Sequence, residues 1–270
     1  MRGRTILIAG LLTAAYAGQA SAQTITSSPH DLSTGGVELD QNEICVYCHT
    51  PHGANPNTGG EGAPLWNKNY TAGPFTTYDT SVSSTLDAAE VLAVGSVSIA
   101  CLSCHDGTQA MDAVINAPGT GFGDGLGPGG QTLINSTIDT ITGAANLSAD
   151  LSNDHPIGIE YAGGVDGTGA LTDPDFAAVQ TMTDMTNGPW FVDATGGSAG
   201  VRDKTDMILY TRTFAAGVGP SVECASCHDP HNGNAADGKG AAGNTDGSVV
   251  SFMRLADNSQ SQVCLTCHVK

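Results

Sequence analysis

Every cysteine of the chain falls in one of four copies of a single pattern: Cys45-Val-Tyr-Cys48-His49, Cys101-Leu-Ser-Cys104-His105, Cys224-Ala-Ser-Cys227-His228 and Cys264-Leu-Thr-Cys267-His268. CxxCH is the spacing at which a c-type haem is attached. Each thiol forms a thioether to a vinyl group, and the histidine that follows is held beneath the iron as its proximal ligand. Four repeats with no cysteine left over predict four covalently bound c-type haems. Paired CxxC motifs also hold structural zinc, and exported cysteines also form disulfides. Neither use calls for a histidine directly after every second cysteine.

The chain has eight histidines, and four of them (His49, His105, His228 and His268) are proximal by position. The other four, His30, His52, His155 and His231, equal the axial positions left on four irons and are predicted as distal ligands. Met111, Met182, Met185, Met207 and Met253 compete for that role, but none sits in a repeated context. Paired imidazoles leave the potential lower than methionine ligation would.

His52 follows His49 in CVYCHTPHG, and His231 follows His228 in CASCHDPHNG. A proximal histidine already occupies one face of its iron, so His52 and His231 are expected to serve neighbouring haems. Three residues span at most about 10 Å, which forces the two irons close together. Each doubled motif is succeeded by a plainer one, so the chain reads as two haem pairs.

Irons closed on both sides leave no place for a substrate. The expectation is therefore electron transfer and no enzymatic bond chemistry. A multihaem oxyanion reductase would need one vacant axial position, usually beside a basic pocket. Of nine Lys and Arg, two precede residue 23, so only seven are left to build one.

The elements that must position these groups are sparse. Arg2 and Arg4, the apolar run ILIAGLLTAAYAG and the small residues Ala20-Ser21-Ala22 read as a secretory signal over residues 1–22. Residues 23–115 carry the first haem pair, 116–222 are a glycine-rich segment with His155, and 223–270 carry the second pair, all in one continuous unit. No later stretch is apolar for long enough to span a bilayer. Losing the leader removes two cations and no acid, taking the formal charge from −18 to −20. Such a chain repels nucleic acid and anionic lipid and favours cations, basic partners or positively charged mineral surfaces.

With 36 glycines, 5% aromatic residues and 13% charged ones, the chain is poor in bulky side chains for a core. The predicted fold is mostly irregular, with few short helices, minimal strand and a haem-filled core. DPDFAAVQTMTDM reads as a helix with Asp173 as cap and Pro174 in its first turn, LDAAEVLAV as a brief helix, DMILYTRTF as a short strand and NAPGTGFGDGLGPGG as loop. The acidic turns DGTGALTDPD and GNTDGS lack complete calcium-loop spacing and read as solvated turns. Asn69, Asn135 and Asn146 begin formal glycosylation sequons.

Together SPHDLST, CVYCHTPHG, CLSCHDGT, NDHPIGI and CASCHDPHNG resemble the multihaem c-type cytochromes with doubled CxxCH motifs. Four haems, an export signal and a histidine just inside the mature start are most similar to the extracellular tetrahaem cytochromes that polymerise into conductive filaments in metal-reducing bacteria. The glycine-rich segment carries none of the resemblance. The resemblance implies an exported protein at the cell exterior or surface, with a monomeric periplasmic shuttle as the alternative. Implied partners are further copies of the chain in a head-to-tail polymer, other multihaem cytochromes, and metal oxides or electrodes as acceptors. In that family a distal histidine near the N-terminus reaches a haem of the adjacent subunit, and the matching residue is His30. With haems numbered by motif, the implied assignment is His52 to haem 2, His155 to haem 1, His231 to haem 4 and His30 to haem 3 of the neighbour. Ligation of haem 1 by His30 within its own chain is the competing assignment.

Overall fold

In the computed structural model the residues described are 25–26, 28–33, 44–55, 63–70, 73–86, 90–117, 125–126, 132–133, 140–164, 171–183, 190–232, 252–255 and 261–269. Residues 1–22, the acidic turn GNTDGS, Met185 and Asn135 lie outside them, as do parts of LDAAEVLAV, DGTGALTDPD and NAPGTGFGDGLGPGG.

Every CxxCH motif folds as a short helical turn. The first is a 3-10 turn, Ile44–Tyr47. The others lie in or make up α1 (Ser96–His105), α2 (Cys224–Cys227) and α3 (Gln262–Cys267). The N–H groups of His49, His228 and His268 donate to the carbonyls of Cys45, Cys224 and Cys264 at 2.8, 3.1 and 2.9 Å. Residues at i, i+3 and i+4 share one side of such a turn, so this fold brings the two sulfurs and the imidazole of each motif to one side. Glu223 caps α2: its side chain accepts from the third residue of the turn, while its own N–H donates to Ser226 Oγ at 2.9 Å.

Each motif is then pinned by a returning segment. Trp66, Met253 and Phe176 form antiparallel bridges with His49, His228 and His268. Beside them, Asn67, Arg254 and Ala177 donate to the carbonyls of Cys48, Cys227 and Cys267, each at 2.8 Å. The second motif is held at His105, whose carbonyl accepts from Leu147 at 2.7 Å.

The strands are β1 (Thr76–Thr77), β2 (Ala113–Val114), β3 (Gly125–Leu126), β4 (Thr132–Leu133), β5 (Asp150–Leu151), β6 (Ile159–Glu160), β7 (Gln180–Thr181), β8 (Trp190–Val192), β9 (Met207–Phe214) and β10 (Gly217–Val222). Five of them form one antiparallel sheet in the order β6-β10-β9-β8-β7. The β9–β10 hairpin is its spine, with Phe214 opposite Gly217 and Tyr210 opposite Ser221. Strand content is therefore modest rather than minimal, while the few short helices and irregular chain are as the sequence predicts.

DMILYTRTF forms β9. DPDFAAVQTMTDM does not form a helix: Phe176 and Ala177 pair with the last motif, and Gln180–Thr181 joins the sheet as β7. That tertiary pairing overrides the local cap signal. In LDAAEVLAV the described residues after Ala89 are not helical, and Val91 instead bridges to Ile159. Within the glycine-rich loop, Gly125–Leu126 pairs with Thr132–Leu133.

Buried apolar residues fall in separate clusters. The largest unites Tyr161, Ala162, Val192, Met207, Leu209 and Val263, with Cys227 and Cys267 packed against it. One face of the sheet is thus the platform for the last two motifs. Burial of Met207 and Leu209 contributes about 1.5–3 kcal/mol each. A second cluster sets Tyr47 and Val114 against Cys48 under the first motif, and a third holds Ala110 and Ala113 just past the second. No helix among the described residues is long and apolar enough to cross a membrane.

Candidate metal centres

Two pairs of imidazoles from distant parts of the chain stand at nearly the same spacing. The rings of His49 and His231 are 6.2 Å apart between centres and 17° from parallel. Those of His30 and His105 are 6.1 Å apart and 76° from parallel. A metal–imidazole bond is about 2 Å long and the ring centre lies about 1 Å behind its nitrogen, so two imidazoles on opposite sides of one iron stand about 6 Å apart. Each pair joins a predicted proximal ligand to a predicted distal one. The partners differ from those implied by resemblance, which give His231 to haem 4 and His30 to a neighbouring chain.

The physical reason lies in the Asp229-Pro230-His231 turn, which crosses from the third motif to the first pair. His30 Nδ1–H donates to Pro230 O at 3.1 Å, and the His30 ring stacks on Phe252, 4.1 Å between centres. Phe252 precedes Met253, the residue that bridges to His228. One turn thus carries His231 to His49 and holds His30 at His105.

The hydrogen bonds also fix the tautomers. His49, His105 and His155 donate from Nδ1 to the carbonyls of Pro64, Ala145 and Pro156 at 2.7, 2.8 and 3.0 Å. A carbonyl only accepts, so Nδ1 carries the proton and Nε2 keeps the lone pair that a metal needs. Burial pushes the His30 imidazole below its ordinary value, reinforced by His105, His231 and His228 and opposed by the Pro230 bond. His231 is raised instead, chiefly by its bond to Asp229.

His52 and His155 are exposed, and neither ring packs against another among the described residues. The loop bearing His155 is tied down at Gly158, whose carbonyl accepts from Leu92 and whose N–H donates to Val222, both at 2.8 Å. Gly158 has φ +69°, and a Cβ there would lie 2.8 Å from Leu92 O, so the turn requires glycine. Met207 is buried in the sheet core and Met253 engages His228 through its backbone; neither occupies a repeated ligand position.

The four motifs neighbour one another in chain order. Cys48 lies close enough to Cys104 for their anions to repel, the Cys101 and Cys224 thiols are in hydrogen-bond contact, and Cys227 lies near Cys264 and Cys267. The Cys101–Cys224 contact raises the Cys101 thiol and lowers that of Cys224. Burial pushes the thiols of Cys48, Cys227 and Cys267 up to about 12, 11 and 12, a measure of how apolar the interior around the motifs is. Of the eight cysteines, only Cys45 of the first motif and Cys264 of the last are open to solvent. No two of the eight cysteines are joined by a disulfide. Among the described residues no three His, Cys, Asp or Glu side chains gather as a bare metal ion would need.

Buried polar groups brace these motifs. Ser98 of α1 donates to Glu223 Oε2 at 2.6 Å, Cys224 N–H donates to Ser98 Oγ at 3.0 Å, and Arg212 pairs with Glu223 Oε1 at 2.8 Å. This network docks α1 on α2 and so joins the second motif to the third. Lys68, fully buried, donates from Nζ to the carbonyls of Met111 and Ala113 at 2.7 and 2.8 Å and clamps the segment after the second motif to the one after the first.

The donor set fits haem in one further respect. Tyr47 Oη and Trp66 Nε1, both beside the first motif, are buried and have no hydrogen-bond partner within the protein. A haem carries carboxylates that accept such bonds.

Sequence reasoning did not single out Asp229, Arg254, Glu223, Arg212, Ser98 or Lys68. Only Asp229 gave a signal, as the residue between the two histidines of CHDPH. No protein-family model matches the chain, and no curated protein matches it.

Proposed function

We propose that the chain is a tetrahaem bis-histidine c-type cytochrome that conducts electrons and performs no bond chemistry. The carrying observation is the pair of imidazole spacings, 6.2 Å for His49–His231 and 6.1 Å for His30–His105. Cys45, Cys48, Cys101, Cys104, Cys224, Cys227, Cys264 and Cys267 would hold the haems through thioethers. His49 and His231 would ligate the first iron, and His30 and His105 the second. By tally, His52 and His155 are left for the irons of His228 and His268. Haem supplies one-electron exchange between ferric and ferrous iron; the chain supplies ligands on both sides and a mostly buried row between them.

Three features support a conduit. The motifs neighbour one another in sequence order, the row is exposed at Cys45 and Cys264, and the buried α1–α2 network fixes its middle. A haem-filled interior is part of this reading, since the protein's own apolar clusters are small and lie against the cysteines.

Export and assembly into a head-to-tail polymer at the cell surface, with other cytochromes and metal oxides or electrodes as partners, rest on the resemblance. In this reading the exposed imidazoles His52 and His155 would be the ones free to reach a neighbouring chain, with His30 turned to His105. Film voltammetry tests the conduit: it should show reversible one-electron waves unchanged by nitrite or carbon monoxide. Catalytic current with an oxyanion would instead establish a reductase. Electron microscopy of the purified haem protein separates fibres from a monomeric periplasmic shuttle.

A further inference from the structure

His30, His49, His105 and His155 each direct Nδ1 at a neutral carbonyl. The exception is His231, whose Nδ1 lies 3.4 Å from Asp229 Oδ1. The same oxygen accepts the His231 N–H at 3.0 Å. The other carboxylate oxygen lies 3.6 Å from Arg254 Nη1. Arg254 is itself immobilised, buried with Nε and Nη2 donating to Ala225 O at 3.1 and 3.0 Å and its N–H donating to Cys227 O at 2.8 Å. A carboxylate behind an imidazole draws the Nδ1 proton and makes Nε2 a stronger donor, which a carbonyl does far less. A stronger donor favours ferric over ferrous iron and lowers the reduction potential.

We infer that Asp229, moderated by Arg254, is a positioning residue that aims His231 at the iron of His49 and holds that centre's potential down. The inference rests on the tetrahaem reading. Asp229 also closes a local turn through the His231 N–H, a purely structural job that an asparagine oxygen performs equally well. Asp229→Asn therefore separates the two roles, because it keeps the turn and removes the charge. Arg254→Gln acts in the opposite sense, since it leaves the carboxylate uncompensated.

The test is spectroelectrochemistry of the exported holoprotein, with haem content counted in each variant. The expected result is that one midpoint potential moves furthest, positive in Asp229→Asn and negative in Arg254→Gln, and that it is the potential lost from the set in His231→Ala. Unmoved potentials, a uniform shift of all, a largest shift at another centre, or shifts of the same sign in Asp229→Asn and Arg254→Gln overturn the inference alone, provided those two chains still carry four six-coordinate haems. A chain without haem overturns the tetrahaem reading and this inference together. The wild-type protein gives an independent check should a variant fail to accumulate. Resonance Raman or NMR should find one axial ring with imidazolate-like character, and a uniform set of rings contradicts the inference.

Discussion

His49 of the first motif and His231 beyond the third stand 6.2 Å apart with their rings 17° from parallel. His30 and His105 stand at almost the same distance but nearly crossed, at 76°. In low-spin ferric iron, parallel axial rings split the two π-type d orbitals, whereas crossed rings leave them close in energy.

The two centres should therefore differ in electron paramagnetic resonance. The first should give a rhombic signal and the second a strongly anisotropic one with a large leading g value. His231→Ala should remove the rhombic component and open one iron to carbon monoxide, and His30→Ala should do the same to the anisotropic component. Loss of both components in either variant, or of neither, contradicts the pairing.

Lys68→Met should destabilise the fold by about 3 kcal/mol, because two buried carbonyls, Met111 O and Ala113 O, lose a charged donor at once. Chemical denaturation of the holoprotein measures this. A loss below about 0.5 kcal/mol, the level of an ordinary surface change, would show that water replaces the ammonium.

Glu223 predicts a pH dependence. Burial raises its carboxyl above the ordinary value of 4.5, against the opposing effects of Ser98, Arg212 and Ser221. The folded chain then binds more protons than the unfolded one between 4.5 and the raised value. Its contribution is fully present below 4.5 and is lost as pH rises through the folded pKa. Thermal melts should show this decline in the wild type and its absence in Glu223→Gln. Parallel profiles for the two proteins would refute it.

The four motifs were legible because they are written in short range: cysteine, cysteine and histidine lie within one helical turn, and four such turns form. β9 was legible for a similar reason, since its alternating Met207 and Leu209 face the core. Phe176 was misread because its backbone partner is His268, far along the chain, and a local cap signal cannot report that pairing. The imidazole pairings were illegible for the same cause. Nothing near His231 in the sequence says that its turn reaches His49, and the carbonyl of Pro230 that holds His30 carries no side-chain signature.

The central claim is that eight imidazoles close four irons. Intact mass and absorption spectroscopy of the purified, exported chain test it most directly. The account predicts a mass increment of four haems, low-spin spectra in both oxidation states, and no carbon monoxide adduct on reduction. Fewer than four haems, or a high-spin centre that takes up carbon monoxide, would contradict it.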